Sequence, residues 1–329
     1  MSPRRRPGKR LLLTLLPVVG LLTLGVAAAF LYLAYAVTRP PGQPYLLTPA
    51  TFTRISARAV QATEETWENA DGTSARGWLL RGAEGAPAVV LLHGYGSDRS
   101  TLLNLGIKLS EATNFTVLFP DLRGHGPDPL APATTFGARE AEDLSAALRF
   151  LRAQRTPQQR PLVGRQIGLY GVELGGYAAL LTASRAGGGE QITALALDSV
   201  PATPDALLHE ALRARTGIEA GVVRAGVRLG TKVLLLGGYE NVPACELARN
   251  VRGATALLLT GEDAGYLRAS TQALAQCFPA EASVESRDDL PVTGMRVASS
   301  TGVAGETYDL LIIDFFARTL RADTAPTPR

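Results

Sequence analysis

Apolar and polar residues follow three different rhythms along this chain, and each predicts a different kind of element. From Leu11 to Val37, 27 residues pass without a charge. A helix of that length reaches about 40 Å at roughly 1.5 Å per residue, more than the ~30 Å hydrocarbon core of a bilayer. Thr63 to Glu68 then alternates with period two, and Gly77 to Leu80 resumes after the Asp71-Gly72 turn signal, which predicts a hairpin. Beyond it, short apolar runs alternate with amphipathic stretches. The runs predict strands at Ala88–Leu92, Phe115–Phe119, Ile167–Tyr170, Ile192–Leu197, Ala256–Thr260 and Ser283–Ser286. The stretches predict helices at Ser100–Ala112, Ala138–Ala153, Leu174–Ser184 and Glu306–Leu320. In the second of these, Glu140, Glu142 and Asp143 stand near the start and Arg149 and Arg152 near the end, as the helix dipole favours.

Strands separated by helices of this length imply an α/β domain with a mostly parallel sheet covered on both faces. Pro201 to Tyr239 is rich in Ala, Leu and Arg and has no strand pattern, so it reads as a small helical lid packed at the sheet's edge. The expected organisation is a basic tip (1–10), a transmembrane helix (11–37), a linker (38–55), the α/β domain (56–322, with the lid at 201–239) and a short tail (323–329).

Charge narrows the partners. The net charge is +3, but Arg4, Arg5, Arg6, Lys9 and Arg10 supply five of the 33 cations. From residue 38 onward, 28 basic residues face 30 acidic ones, so the body carries no basic face for nucleic acid. Cations before the apolar run place the N-terminus in the cytoplasm and the domain outside. Ala34-Tyr35-Ala36 also fits a signal-peptidase site, which would make the protein secreted. Signal-peptide cores span about 7–15 residues, however, and this run favours a retained anchor in the cell membrane. Arg39, Pro40, Pro41, Gly42 and Pro44 read as a stiff spacer between membrane and domain.

Three segments carry chemistry. Leu91-Leu92-His93-Gly94-Tyr95-Gly96 leaves one predicted strand, and Pro120-Asp121-Leu122-Arg123-Gly124-His125-Gly126 leaves the next. Gly171-Val172-Glu173-Leu174-Gly175-Gly176 joins a strand to a helix. In this order and context they resemble the oxyanion loop, the D-x-R-G-H-G loop and the G-x-S-x-G nucleophile elbow of the α/β-hydrolase family, over roughly residues 60 to 320. The likeness is to bacterial serine hydrolases and peptidases with a short lid. It implies backbone oxyanion donors at Tyr95 and Leu174 and a nucleophile at the elbow tip.

The chain departs from that pattern twice. Glu173 stands where the family has Ser, Cys or Asp, while Gly171 and Gly175 keep the tight turn. The family's histidine belongs between the last strand and the last helix, yet Arg296 to Ser300 contains none. His93 and His125 match loop histidines without a catalytic role, and His209 lies in the lid. The acid position falls at Gly261-Glu262-Asp263-Ala264, where either Asp263 or Glu262 faces the site, or Asp263 caps a turn. With no complete triad, the expectation is a pseudoenzyme that binds or scaffolds an unidentified small-molecule or protein ligand. Glu173 would then accept both oxyanion amides and stay ionised. The alternative is a hydrolase of esters or peptides in which Glu173 attacks directly and His209 or an acid activates water. A deep apolar cavity beside Glu173 would favour ligand binding or chemistry, and a filled one a structural role. Neither metal nor cofactor is implied. Cys245 and Cys277 read as a disulfide, as two buried thiols or as a reactive pair. The expectation leans to thiols, because their helices put them at different heights.

Overall fold

The computed structural model describes residues 7–55, 62–185, 192–296 and 302–322. Its strands are β1 (Ala62–Glu68), β2 (Ser74–Leu80), β3 (Ala86–Leu92), β4 (Thr116–Pro120), β5 (Val163–Val172), β6 (Ile192–Asp198), β7 (Thr255–Gly261) and β8 (Val284–Leu290). Its helices are α1 (Pro7–Val37), α2 (Pro49–Ile55), α3 (Leu103–Thr113), α4 (Ala138–Ala153), α5 (Leu174–Arg185), α6 (Pro204–Thr216), α7 (Gly221–Leu234), α8 (Ala244–Ala248), α9 (Leu267–Leu274) and α10 (Val303–Ala322). The strands form one sheet in the order β1-β2-β4-β3-β5-β6-β7-β8. The β1–β2 and β2–β4 pairs are antiparallel, and every other pair is parallel.

This order follows from the pattern of apolar runs. β3, β4, β6 and β7 are buried along nearly their whole length, which requires helices on both faces. After β3 the chain steps outward to β4, then crosses back through α4 to place β5 on the other side of β3. The loops leaving β3 and β5 therefore diverge at a topological switch point, where parallel α/β sheets form their sites. One apolar layer joins α4, α5, α6 and α8 to the sheet, and the other joins α3 and α10. The expected helix-covered α/β sheet is what forms.

Three expectations need correction. The segment after α1 is not a free spacer. Tyr45 donates its hydroxyl to Asp121 (2.5 Å), the Leu46 N–H donates to Ser100 Oγ (3.0 Å), and Leu47 and Phe52 pack on the α3/α10 layer. Prolines stiffen this strap, but its apolar side chains gain more by burial on the domain than by staying in water. The lid is not an edge appendage either. α6 buries Leu207, Leu208, Ala211 and Leu212 in the core, with Thr203 as its N-cap and Gly217 closing it in the left-handed conformation. Finally, Cys245 and Cys277 form a disulfide with Cα atoms 5.1 Å apart. α8 begins at Ala244 and the turn after α9 ends at Cys277, as the sequence suggests, but the short α8 brings its first turn level with that end.

The end of α1 belongs to the domain. Its residues 15–29 are exposed, but Ala34, Val37 and Thr38 are fully buried. Val37 O accepts from the Tyr95 hydroxyl (2.7 Å) and Thr38 O from the Thr134 N–H (2.9 Å).

Candidate functional site

The site is built on the strand-to-helix turn between β5 and α5. Glu173 is its tip and adopts φ +50°, the left-handed region that a non-glycine residue enters only under constraint. The constraint is visible on either side. A Cβ on Gly175 would lie 2.5 Å from Leu92 O and 2.7 Å from His93 O, and one on Gly171 would strike the backbone of Gly175 and Gly176. The Glu173 N–H donates to Asp198 O at the end of β6 (2.9 Å), which fixes the turn.

From this tip the side chain turns toward the loop after β3. The Tyr95 N–H donates to Glu173 Oε2 (2.9 Å), so one expected oxyanion donor is already engaged. Gly94 allows the approach: a Cβ there would lie 3.2 Å from the same oxygen. The other expected donor, the Leu174 N–H, is not bonded to this carboxyl group. The second polar neighbour is instead the Tyr266 hydroxyl, with the Glu210 carboxylate of α6 nearby. Burial dominates the electrostatics. It pushes Glu173 up to about 7 against the pull of the Tyr95 amide and the Tyr266 hydroxyl, with Glu210 adding to the rise. The expected fully ionised carboxylate is therefore corrected: one hydrogen-bonded amide does not offset near-complete desolvation.

The histidines have structural duties. The Leu122 N–H donates to His93 Nε2 (3.0 Å), so Nδ1 carries the proton and donates to Gly94 O (2.9 Å). His125 Nδ1 lies 2.8 Å from Arg123 O, and its ring meets those of His93 and Tyr95 edge-on. Burial lowers both histidines to about 4 and keeps them neutral. Together they tie the loop after β4 to the one after β3. His209 faces Asp205, Arg224 and Arg228 within the lid, while its neighbour Glu210 is the residue turned toward Glu173. Burial also lowers His209.

Asp263 does not reach the elbow. Its Oδ2 accepts from the Thr293 N–H and Oγ1, both at 3.1 Å, and so anchors the turn after β8, while Glu262 is exposed. A buried carboxylate that the sequence reading missed lies closer. Asp198 Oδ1 accepts from Ser199 Oγ (2.6 Å), and Oδ2 accepts from the Gly294 N–H (2.6 Å) and the Tyr308 hydroxyl. Tyr308 in turn bonds Tyr170 (2.7 Å). Burial raises Asp198 to about 6 despite these donors. The available signal was position: Asp198 ends the strand beside the elbow strand. Of the window where a histidine was sought, Arg296 is exposed and residues 297–300 lie outside the described part.

A cavity of about 80 Å³ remains beside Glu173, lined among others by His93, Tyr95, Thr101, Leu102 and Met295. It is far below the ~300–1,000 Å³ of small-molecule pockets. Phe136 and Tyr239, with Ala34 and Val37 of α1, pack in the apolar cluster over this end of the sheet. Among the described residues, no cluster of His, Cys, Asp and Glu has the arrangement of a metal site.

Comparison with known proteins agrees with this geometry. A model of the alpha/beta hydrolase family matches residues 89–325, most of the chain, and the protein belongs to that family. A curated relative is the polyketide transferase GrgF of a Penicillium species, 27% identical over 132 residues. That match covers 40% of this chain and 43% of the relative, so the chain spans less than half the length of the curated relative it matches. Similar solved structures include the Pyrococcus furiosus esterase Pf2001, with TM-score 0.61 and 18% identity over 86% of this chain and 98% of that one. An esterase from Rhizomucor miehei gives TM-score 0.58 and 18% identity over 91% and 97% of the two chains. The structure of GrgF gives TM-score 0.55 and 18% identity over 79% and 99%. At these identities the likeness is one of fold.

Proposed function

We propose that this protein is a membrane-anchored member of the family that lacks serine-hydrolase chemistry and acts as a binding or scaffolding module. The observation carrying this reading is the 2.9 Å hydrogen bond from the Tyr95 N–H to Glu173 Oε2. In an acyl-transfer enzyme that amide must be free to receive the developing oxyanion. Here the residue at the nucleophile position takes the donor for itself, and no histidine among the described residues stands ready to activate a nucleophile. The cavity of about 80 Å³ beside the carboxyl, far smaller than an ordinary ligand pocket, favours the scaffolding side of this reading over small-molecule binding.

The anchor reading rests on α1, whose residues 15–37 are long and apolar enough to cross a bilayer. The N-terminus then lies in the cytoplasm and the domain outside, where the Cys245–Cys277 disulfide is stable. Retention of the helix is supported by its burial: cleavage after Ala36 would remove Ala34 from the core and leave Val37 as a free end.

A second reading has one observation in its favour. Glu173 is raised to about 7, the range of a general acid or base, so hydrolysis through its carboxyl is the alternative. Fluorophosphonate labelling and acyl-ester hydrolysis by the full chain separate the two. The expected result is no labelling and no turnover by the native protein. Glu173→Ser should restore a hydroxyl but little activity, and any gain should require a histidine added within residues 296–300 as well. Turnover by the native protein that Glu173→Gln abolishes would overturn the pseudoenzyme reading.

A further inference from the structure

The charges of the body balance as a count, 28 basic residues against 30 acidic ones from residue 38 onward, but they are not evenly placed. From Leu144 to Val172 the chain holds Arg149, Arg152, Arg155, Arg160 and Arg165 and no acidic residue. The end of α4, the loop after it and the start of β5 carry these five to the end of the sheet opposite the elbow. Arg165 lies roughly 25 Å from Glu173 along the extended strand. Contacts between segments hold the group together. The Arg152 guanidinium donates to Gly164 O and to Arg165 O, which fixes α4 against the start of β5. Arg155 donates to Arg152 O (2.8 Å) and Gln154 O (3.0 Å), and its backbone bridges to Pro161. Arg81, just after β2, joins them through the Gln154 side chain (3.2 Å).

Few carboxylates answer this group. Arg81 pairs with Glu65 (3.1 Å) and Arg160 with Glu84 (2.8 Å), whereas Arg149, Arg155 and Arg165 are exposed and form no ion pair among the described residues. Helix capping accounts for Arg152 and for one nitrogen of Arg155, since both donate to carbonyls where α4 ends. It does not account for Arg149, Arg160 or Arg165, whose gathering costs repulsion in a body that is slightly acidic as a whole. A groove of about 620 Å³ opens among them, lined by Arg81, Glu84, Arg155, Thr156, Gln158 and Gln159. From Arg149 to Arg155 the cations cover about 9 Å of α4 at ~1.5 Å per residue, and Arg81 and Arg160 continue them past the helix end. One small anion occupies one or two guanidinium forks; a row of forks suits a chain of anions.

We propose that this end of the sheet binds a linear polyanion, a polymer bearing phosphate or carboxylate groups along its length. The chain of anions lies from Arg149 and Arg165 past Arg155 into the groove beside Arg81. Planar guanidinium groups match the paired oxygens of both anions, and the Gln158 and Gln159 amides add donors that need no charge. The proposal uses no residue of the elbow, so it is independent of what Glu173 does.

The test titrates the full chain, in a nonionic detergent, into fluorescently labelled inorganic polyphosphate, polygalacturonate or neutral dextran, and reads anisotropy at about 50 mM and about 200 mM salt. The expected result is binding of at least one polyanion and none of dextran. Combining Arg149→Gln, Arg155→Gln and Arg165→Gln should weaken binding about tenfold or more at the lower salt, and should reduce the slope of log K against log salt by about 2. Binding of polyphosphate alone assigns phosphate as the anion, and of polygalacturonate alone carboxylate; either supports the proposal. A second readout needs no variant. With phenylglyoxal on the native protein, bound polyanion should slow modification of Arg149, Arg155 and Arg165 several-fold and leave Arg224 of the lid unaffected, as peptide mass spectrometry reports. Failure of both polyanions to bind overturns the proposal. Binding that leaves these three arginines unprotected, or that the triple variant keeps in full, assigns the polymer to the cations ahead of the apolar helix and overturns it as well.

Discussion

Two opposed influences act on the proton of Glu173. Burial favours the neutral acid, the Tyr95 amide and Tyr266 hydroxyl favour the carboxylate, and burial prevails, moving the group from 4.5 to about 7. Between those values the folded protein holds a proton that the unfolded chain has released. The group's contribution is therefore most favourable below pH 4.5, declines as pH rises, and is fully lost above about 7. The whole window corresponds to about 3 kcal/mol. Asp198, raised to about 6, tilts stability the same way. Glu173→Gln isolates one share. In urea unfolding, the loss of stability between about pH 5 and about pH 8 should shrink by roughly 2–3 kcal/mol in the variant. An unchanged loss would mean that Glu173 titrates as an exposed carboxyl does.

Single links between elements hold the surroundings of the site. The disulfide ties α8 to the end of α9 across a separation of 32 residues. By loop-closure entropy it should contribute about 3–4 kcal/mol. Replacing both cysteines by serine should lower the urea midpoint accordingly without changing where the chain fractionates; an unaltered midpoint would show the bridge to be dispensable. α10 is linked to the elbow through Tyr308, whose hydroxyl donates to Asp198 and meets Tyr170. Tyr308→Phe leaves one oxygen of a buried carboxyl with the Gly294 amide alone, and should cost about 1–3 kcal/mol. A larger loss in Asp198→Ala than in Asp198→Asn would locate the cost in unpaired donors, since the Asn carbonyl can still accept from the Gly294 N–H while its amide donates to Ser199 Oγ.

For the molecule as a whole, the helix before the domain is both an apolar rod and a piece of the core. Tyr95 joins the two: its N–H holds Glu173, and its hydroxyl holds Val37 O. The mature protein should therefore retain residues 1–37 and fractionate with membranes, as intact mass and N-terminal sequencing of the membrane fraction will report. A mature chain beginning at Val37 would make the protein secreted. It would also require a domain stable without Ala34 in its apolar cluster and without Phe30 against Gly226.

The sequence by itself determined the strands, the helices and the elbow, because these depend on local rules. Buried strands are short apolar runs, amphipathic helices show their period, and a tight turn needs glycines where backbones meet, as Gly171 and Gly175 do. It also carried the departure at Glu173 and the absence of a late histidine, since both are matters of identity at a position. Only the tertiary structure decided what each carboxyl does. Asp263 stands at the expected place, yet a turn of backbone directs it to Thr293; Asp198, which no motif marks, is enclosed by Ser199, Gly294 and Tyr308. The height of Cys245 relative to Cys277, the docking of Tyr45 on Asp121 and the closing of α1 over the elbow are likewise contacts between segments far apart in the chain. Periodicity fixes which face of an element is buried but not which distant element covers it. The proton on Glu173 follows the same division: its residue type was legible, but its affinity for that proton depends on the water that the folded chain excludes.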